Sequence, residues 1–303
     1  MILYNSKYIT LTALAAMLII AAATLPAGSQ ERPSTEDIIE SILKNDTSPK
    51  KTSPRGNTTR QDTAPSETDR PLFPDEEGSQ GDSKKSMTSP SSDEVLYKTG
   101  IQFYESEMFE AAIKNFNELK SKYPQSQYTQ NGAIWSGKAN LQLRKFKNAI
   151  QDFSSIDEQS GEYPESQFYV GESYLRMGKR TDSVNYFYRV AMQFPKYELA
   201  DDALIKLGSI YLQDKKGSLA LKSAARVIRL YGTESNVDDA YYLIAQVYEK
   251  DPVLRDVEIS RKVYKIFIEK AGKNESHFKD SPLLRRVKRD LRNIERTFFR
   301  YER

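Results

Sequence analysis

The chain has 303 residues, a net charge of +3, one His and no Cys. Near-balanced charge argues against a general nucleic-acid binder, which needs a dense basic footprint to displace counterions. The lack of Cys excludes disulfides, thiolate metal sites, Cys nucleophiles and acylation of a Cys at a cleavage site.

The N-terminus reads as an export signal. Lys7 gives a short positive region, Ile9 to Leu25 is an uncharged apolar run, Pro26 breaks it, and Ala27-Gly28-Ser29 supplies small residues for cleavage. Residues 1–29 are thus expected to be a signal peptide cut after Ser29. The competing reading is an uncleaved signal anchor, the run being at the short limit for a bilayer span. Both readings put the rest of the chain outside the cytoplasm, most naturally in a bacterial periplasm.

Residues 30–45 hold a short amphipathic segment. Ser34 or Thr35 can cap a helix, and Ile38, Ile39, Ile42 and Leu43 then share one face. The segment reads either as a transient helix or as a docking motif that folds in a partner's groove. Residues 46–92 are rich in Ser, Thr, Pro, Lys and Asp, with almost no large apolar side chains, and read as a disordered linker.

From residue 93 to the end the chain can build a core, and it repeats. Gly100 is followed by Phe109, Ala112-Ile113, Phe116, Leu119 and Tyr123-Pro124; Gly137 by Phe146, Ala149-Ile150, Phe153, Ile156 and Tyr163-Pro164. The order returns after Gly171 and Gly208 and, in degenerate form, after Ala245. These anchors are separated by 37, 34, 37 and 37 residues. That period, with two helical patterns per unit, is the mark of helix-hairpin repeats. The expected packing has each anchor Gly facing the small residue twelve positions later (Ala112, Ala149, Ser183, Ala220), so that two helices come close. Pro124, Pro164 and Pro195 are expected to stop the second helix of their units.

The repeat wording, including "KYPQSQYTQNGAIWSGKANLQLRKFKNAIQDF" and "QFPKYELADDALIKLGSIYLQDKKGSLAL", resembles the tetratricopeptide repeat over about 200 residues. It is similar in particular to the periplasmic group containing the Tol-Pal cell-division coordinator and the outer-membrane barrel-assembly lipoprotein. The coordinator's coiled coil has no counterpart, since residues 30–92 carry no sustained heptad, and the lipoprotein's lipidated Cys is absent. The resemblance implies an all-α, right-handed superhelical solenoid of about five helix hairpins in residues 93–303, closed by a C-terminal helix. It further implies a non-enzymatic protein without cofactors that binds other proteins of the cell envelope.

Residues 281–301 read as that closing helix, with an apolar stripe of Leu284, Val287, Leu291, Ile294 and Phe298. From Lys279 to Arg303 there are nine basic and four acidic residues. A solenoid needs a terminal helix with a polar outer face, and we read the helix as that cap. The alternative is a basic surface, carried by Arg285, Arg289, Arg292 and Arg296, for anionic headgroups or an acidic partner.

No catalytic motif stands out. His277 lies in a polar stretch, and Asp201-Asp202 and Asp238-Asp239 read as caps just before helices. Neither a Gly-rich phosphate loop nor a nucleophile elbow is present. Binding is expected on the concave face, lined by the first helix of each unit. By register its residues include Ile134, Lys138, Phe168, Glu172, Arg176, Ile205, Gln213, Tyr242, Gln246 and Lys250, the polar members having no core role. The expected function is a periplasmic scaffold or adaptor whose partners are proteins, periplasmic or outer-membrane associated, and not nucleic acid; membrane contact is the less favoured alternative. The alternative is a structural subunit of a large envelope-spanning assembly, such as a flagellar motor collar or secretion apparatus.

Overall fold

The computed structural model describes residues 40–41, 91–232 and 236–300. The expected signal peptide, the docking residues Ile38, Ile39, Ile42 and Leu43, and all but the last residues of the expected linker lie outside them. Among the described residues there are helices and no strands. Five hairpins follow one another: α1 (Ser92–Glu105) with α2 (Phe109–Lys122), α3 (Thr129–Gln142) with α4 (Phe146–Phe153), α5 (Tyr163–Arg176) with α6 (Arg180–Gln193), α7 (Ala200–Gln213) with α8 (Gly217–Tyr231), and α9 (Val237–Lys250) with α10 (Val257–Gly272). A single turn, α11 (Ser276–Lys279), leads to α12 (Leu284–Phe298), which packs on α10.

Each helix packs on its neighbours in sequence, so the core runs the length of the stack. Ile134, Phe153 and Val170 centre one cluster across α3 to α5. A larger one runs from Phe168 through Leu207 and Tyr264 to Ile294. First helices of successive units also touch each other, α1 with α3, α3 with α5 and α7 with α9, whereas second helices do not pack together in this way. The stack therefore curves with its first helices inside.

The anchor glycines do more specific work than the spacing suggests. A Cβ on Gly100 would lie 2.6 Å from the Phe116 ring, and one on Gly137 2.5 Å from the Phe153 ring. On Gly171 it would lie 3.1 Å from Phe187. Glycine thus makes room for an aromatic ring sixteen residues later, which is a correction to the expected contact at twelve. The residues at twelve (Ala112, Ala149, Ser183, Ala220) are fully buried in the second helices. In the fourth unit Ala224 stands where the others have a ring, and the space above Gly208 is taken by Leu243 of the next unit.

The turn inside each of the first four hairpins is also repeated. Glu107, Arg144, Gly178 and Lys215 all have φ between 58° and 76°. The following residue donates its N–H back to Phe103, Asn140, Tyr174 and Tyr211 respectively, a Schellman-like closure of the first helix. After α9 the turn differs. Asp251 is extended and buried, and its carboxylate accepts from the backbone N–H of Gly217, Val253 and Leu254 at 2.9–3.0 Å.

Three sequence readings need correction. Pro124 and Pro195 do follow second helices, but α4 ends at Phe153, and Pro164 lies in the first turn of α5. Pro is tolerated there because its missing N–H has no partner in a helix anyway. Asp201-Asp202 and Asp238-Asp239 lie within the first turns of α7 and α9, and neither helix has a side-chain cap bond. Their charge still suits the positive helix end. Finally, α12 begins at Leu284; Val287, Leu291 and Ile294 are buried, but Phe298 of the expected stripe is half exposed.

Candidate functional site

The inner helices α3, α5 and α7 frame one groove of about 360 Å³, with Tyr104 of α1 at its end. Leu141, Phe168 and Leu199 give it an apolar floor, and Lys138, Glu172, Arg176, Asp202 and Lys206 give it charge. Its charged groups are tied together. Lys138 Nζ lies 2.6 Å from Glu165 Oε1, and 4.5 Å and 5.0 Å from the ring centres of Trp135 and Tyr169. Burial works against the Lys138 charge, but the Glu165 contact and Tyr169 outweigh it and hold the ammonium above its ordinary pKa. Glu172 binds Arg176 at 3.0 Å and Lys206 at 3.1 Å. Burial alone would raise its pKa; the two cations more than offset that and lower it. Both sets of charges are thus fixed before any partner arrives.

A second groove of about 490 Å³ lies further along the same side, between α7, α9 and the start of α12. Ile205, Leu212, Leu243 and Leu283 form its apolar part; Gln213, Asp239, Lys250 and Arg286 line its polar part. Tyr242 donates its hydroxyl to Asp290 of α12 at 3.0 Å, while Arg286 sits over its ring at 5.2 Å. Asp239 is pushed up to about 6 by burial, with the charges of Asp238 and Asp202 adding to the effect.

Nine of the ten expected binding residues line these two grooves: Lys138, Phe168, Glu172 and Arg176 the first, Ile205, Gln213, Tyr242, Gln246 and Lys250 the second. Ile134 lines neither and is buried in the α3–α5 core. Gln246 corrects the expectation that the polar members have no core role. It is 6% exposed and donates to Tyr264 Oη at 2.6 Å, which in turn donates to Glu249 at 2.8 Å. Lys250 completes this network by donating to the Gln246 side-chain oxygen.

Sequence reasoning did not place Asp202, Lys206 and Asp239 in the grooves. The signal was available for the acids: Glu165, Asp202 and Asp239 each stand six residues before their anchor. In the second unit that position is Asn131, whose side-chain oxygen accepts from Tyr97 Oη at 2.7 Å. Among the described residues no group of three or more His, Cys, Asp or Glu could hold a metal ion, and no helix is long and apolar enough to cross a membrane.

Residues 94–126, the first hairpin and the turn after it, match the family model of the tetratricopeptide repeat. The fold is a tetratricopeptide-repeat solenoid. A solved tetratricopeptide repeat protein from Parabacteroides merdae ATCC 43184 is similar with a TM-score of 0.52, at 12% identity, over 68% of this chain and 78% of its own. The MamA protein is similar with a TM-score of 0.49, at 20% identity, over 60% of this chain and 95% of its own. At such identities the likeness concerns fold, and nothing in these matches singles out the Tol-Pal or barrel-assembly group. No curated protein matches the chain in sequence.

Proposed function

We propose that this protein is an adaptor of the bacterial cell envelope that holds an extended or helical segment of another protein along its inner helices. Tetratricopeptide repeats generally mediate protein–protein interaction and scaffolding. One observation carries the reading here: two grooves lie in line on the first-helix side, each with an apolar floor and a charged border. Such a track suits successive side chains of a peptide better than one small molecule. Pre-paired charges such as Lys138–Glu165 and Glu172–Lys206 lower the ordering cost of binding and favour register over raw affinity. The envelope location rests on the export reading of residues 1–29.

Photo-crosslinking in the native cell tests the groove. A photoreactive side chain at Gln142, Arg176 or Gln213 should trap the same partner, and one at the exposed Lys222 of α8 should not. Equal trapping from Lys222, or none from the grooves, refutes the reading. Alkaline phosphatase fused after Arg303 should be active if the chain is exported; an inactive fusion refutes the location alone.

A further inference from the structure

The cap helix α12 carries more charge than capping requires. Val287, Leu291 and Ile294 are buried against the stack, which fixes the rotation of the helix. Arg285, Arg289, Arg292 and Arg296 stand at i, i+4, i+7 and i+11, on the face opposite those three, and all are exposed. At 100° per residue they fall within an arc of about 60° and along about 16 Å of helix axis. Among the described residues only Arg289 has a carboxylate partner, Asp290 at 3.1 Å.

The two acids of α12 pair with only one member of the row, Arg289. Asp290 accepts from Tyr242 of α9, and Glu295 faces Arg261 and Lys265 of α10, each at 3.5 Å. Glu295 is thus paired toward the stack, while Asp290 is shared between Tyr242 of the stack and Arg289 of the row. Like charges at helical i, i+4 spacing weaken a helix. A cap needs only a polar outer face, and mixed signs would supply one without that cost.

Beside the row is a groove of about 700 Å³, lined by Arg261, Arg292, Arg296 and Arg300, the ring of Phe299, Asn293 and one carboxylate, Glu295, which is itself held by Arg261 and Lys265. The Arg261 guanidinium lies 4.2 Å from the centre of that ring. An aromatic floor with guanidinium walls fits a carboxylate-bearing chain that also offers an apolar side chain. Of the seven basic residues from Arg285 to Arg300, six are Arg. Arg pairs with carboxylates through two parallel bonds, which Lys cannot do. A bilayer surface is the poorer match: the apolar residues of α12 are largely committed to the stack, leaving little to insert, and the groove is recessed.

We propose that the outer face of α12 and the Phe299 groove form a second docking surface, for an Asp/Glu-rich segment of a partner protein. It is separate from the inner grooves, so either surface can fail its test without the other. The probe is a fluorescent 16-residue peptide of four Glu-Glu-Leu-Glu units, with a Gln-Gln-Leu-Gln control, titrated against the full chain by anisotropy. The Glu peptide should bind, the Gln peptide should not, and affinity should fall steeply from 50 to 300 mM salt. The triple variant Arg285→Gln, Arg292→Gln, Arg296→Gln should keep the wild-type melting temperature and lose at least tenfold in affinity. Phe299→Ala should lose severalfold. A control triple of the exposed Lys114→Gln, Lys147→Gln and Lys222→Gln should bind as wild type. No binding of the Glu peptide, equal binding by both triple variants, or preference for phosphatidylglycerol vesicles over the peptide would each overturn the proposal.

Discussion

Gly137→Ala is the sharpest test of how the repeat is built. In an open helical site this change stabilises, because Ala is better than Gly in a helix interior by about 1 kcal/mol. At Gly137 the new methyl would lie 2.5 Å, 2.6 Å and 2.8 Å from three atoms of the Phe153 ring. Ordinary carbon contacts are about 3.5–4.0 Å, so the overlap is about 1 Å at each. Phe153 is completely buried, and it stacks on Tyr169 with ring centres 5.4 Å apart, so the ring has no free side to move to. Overpacking of this kind costs about 1–3 kcal/mol, and three simultaneous overlaps put it at the upper end. After the helix gain is subtracted, a net loss of about 2 kcal/mol is expected. For a domain of this size that lowers the melting midpoint by about 4–8 °C. Circular dichroism melts of the wild type and four variants decide the matter. Gly272→Ala is the control, since nothing lies within 4 Å of its Cβ position, and it should melt at or slightly above wild type. In a Phe153→Leu background the cost of Gly137→Ala should shrink by at least half, because the two sites couple through the ring. If Gly137→Ala melts like wild type, or costs the same in both backgrounds, the glycine is not there for the ring.

Three further outcomes follow from the same structure. Gly178→Ala should cost about 1 kcal/mol by thermal melt through backbone strain alone, since φ is 76° and a Cβ there meets nothing within 4 Å. Ala149→Phe should cost about 1–3 kcal/mol or more, because Ala149 is completely buried in α4; an unchanged melt would put the repeat register in error. Asp239 gives a pH signature: its folded-state pKa of about 6 lies above the ordinary 3.8. The folded state holds this proton more tightly than the unfolded state, so its contribution to stability is lost as pH rises from about 4 through about 6. Asp239→Asn removes the charge, so its melting advantage over wild type should grow between pH 5 and 7.5; a difference that is flat with pH would refute the assignment.

The fold was legible because the repeat is written in residue types with few substitutes. Gly at 100, 137, 171 and 208 recurs with a bulky or small residue at fixed offsets, and chance does not produce that four times. What failed was the partner of each glycine. Offsets of twelve and sixteen both lie on the second helix, and only coordinates show that Phe116, Phe153 and Phe187 lie over the glycines. The short polar run around His277 concealed a core residue. Phe278 is buried edge-on against Tyr241 and Phe267, because one turn of helix in that run tips it inward. Pro164 misled because Pro ends one helix and begins another equally well, and the turn formers Ser154-Ser155 had already ended α4.

The site was legible in register more than in role. The nine expected residues that line the grooves stand three before, one after or five after the anchors of their units. Burial along that face differs from unit to unit. Where α3 meets α1 and α5 directly, Ile134 is sealed into the core. Between α5 and α7 the contact is looser, and there the first groove opens over Phe168 and Leu199. At the same register Ile134 is sealed, Phe168 is 7% exposed and reaches the first groove, and Ile205 reaches the second. The acids six before the anchors differ in what they pair with. Glu165 reaches back to Lys138 of the preceding unit, while Asp202 has Glu172 at the corresponding place and leaves that acid to Lys206 and Arg176. A change of sign at one position, Lys138 to Glu172, therefore changes which cations remain tied up along the track. Specificity in such a solenoid resides in these unit-to-unit substitutions, laid over an inner face whose geometry every unit shares.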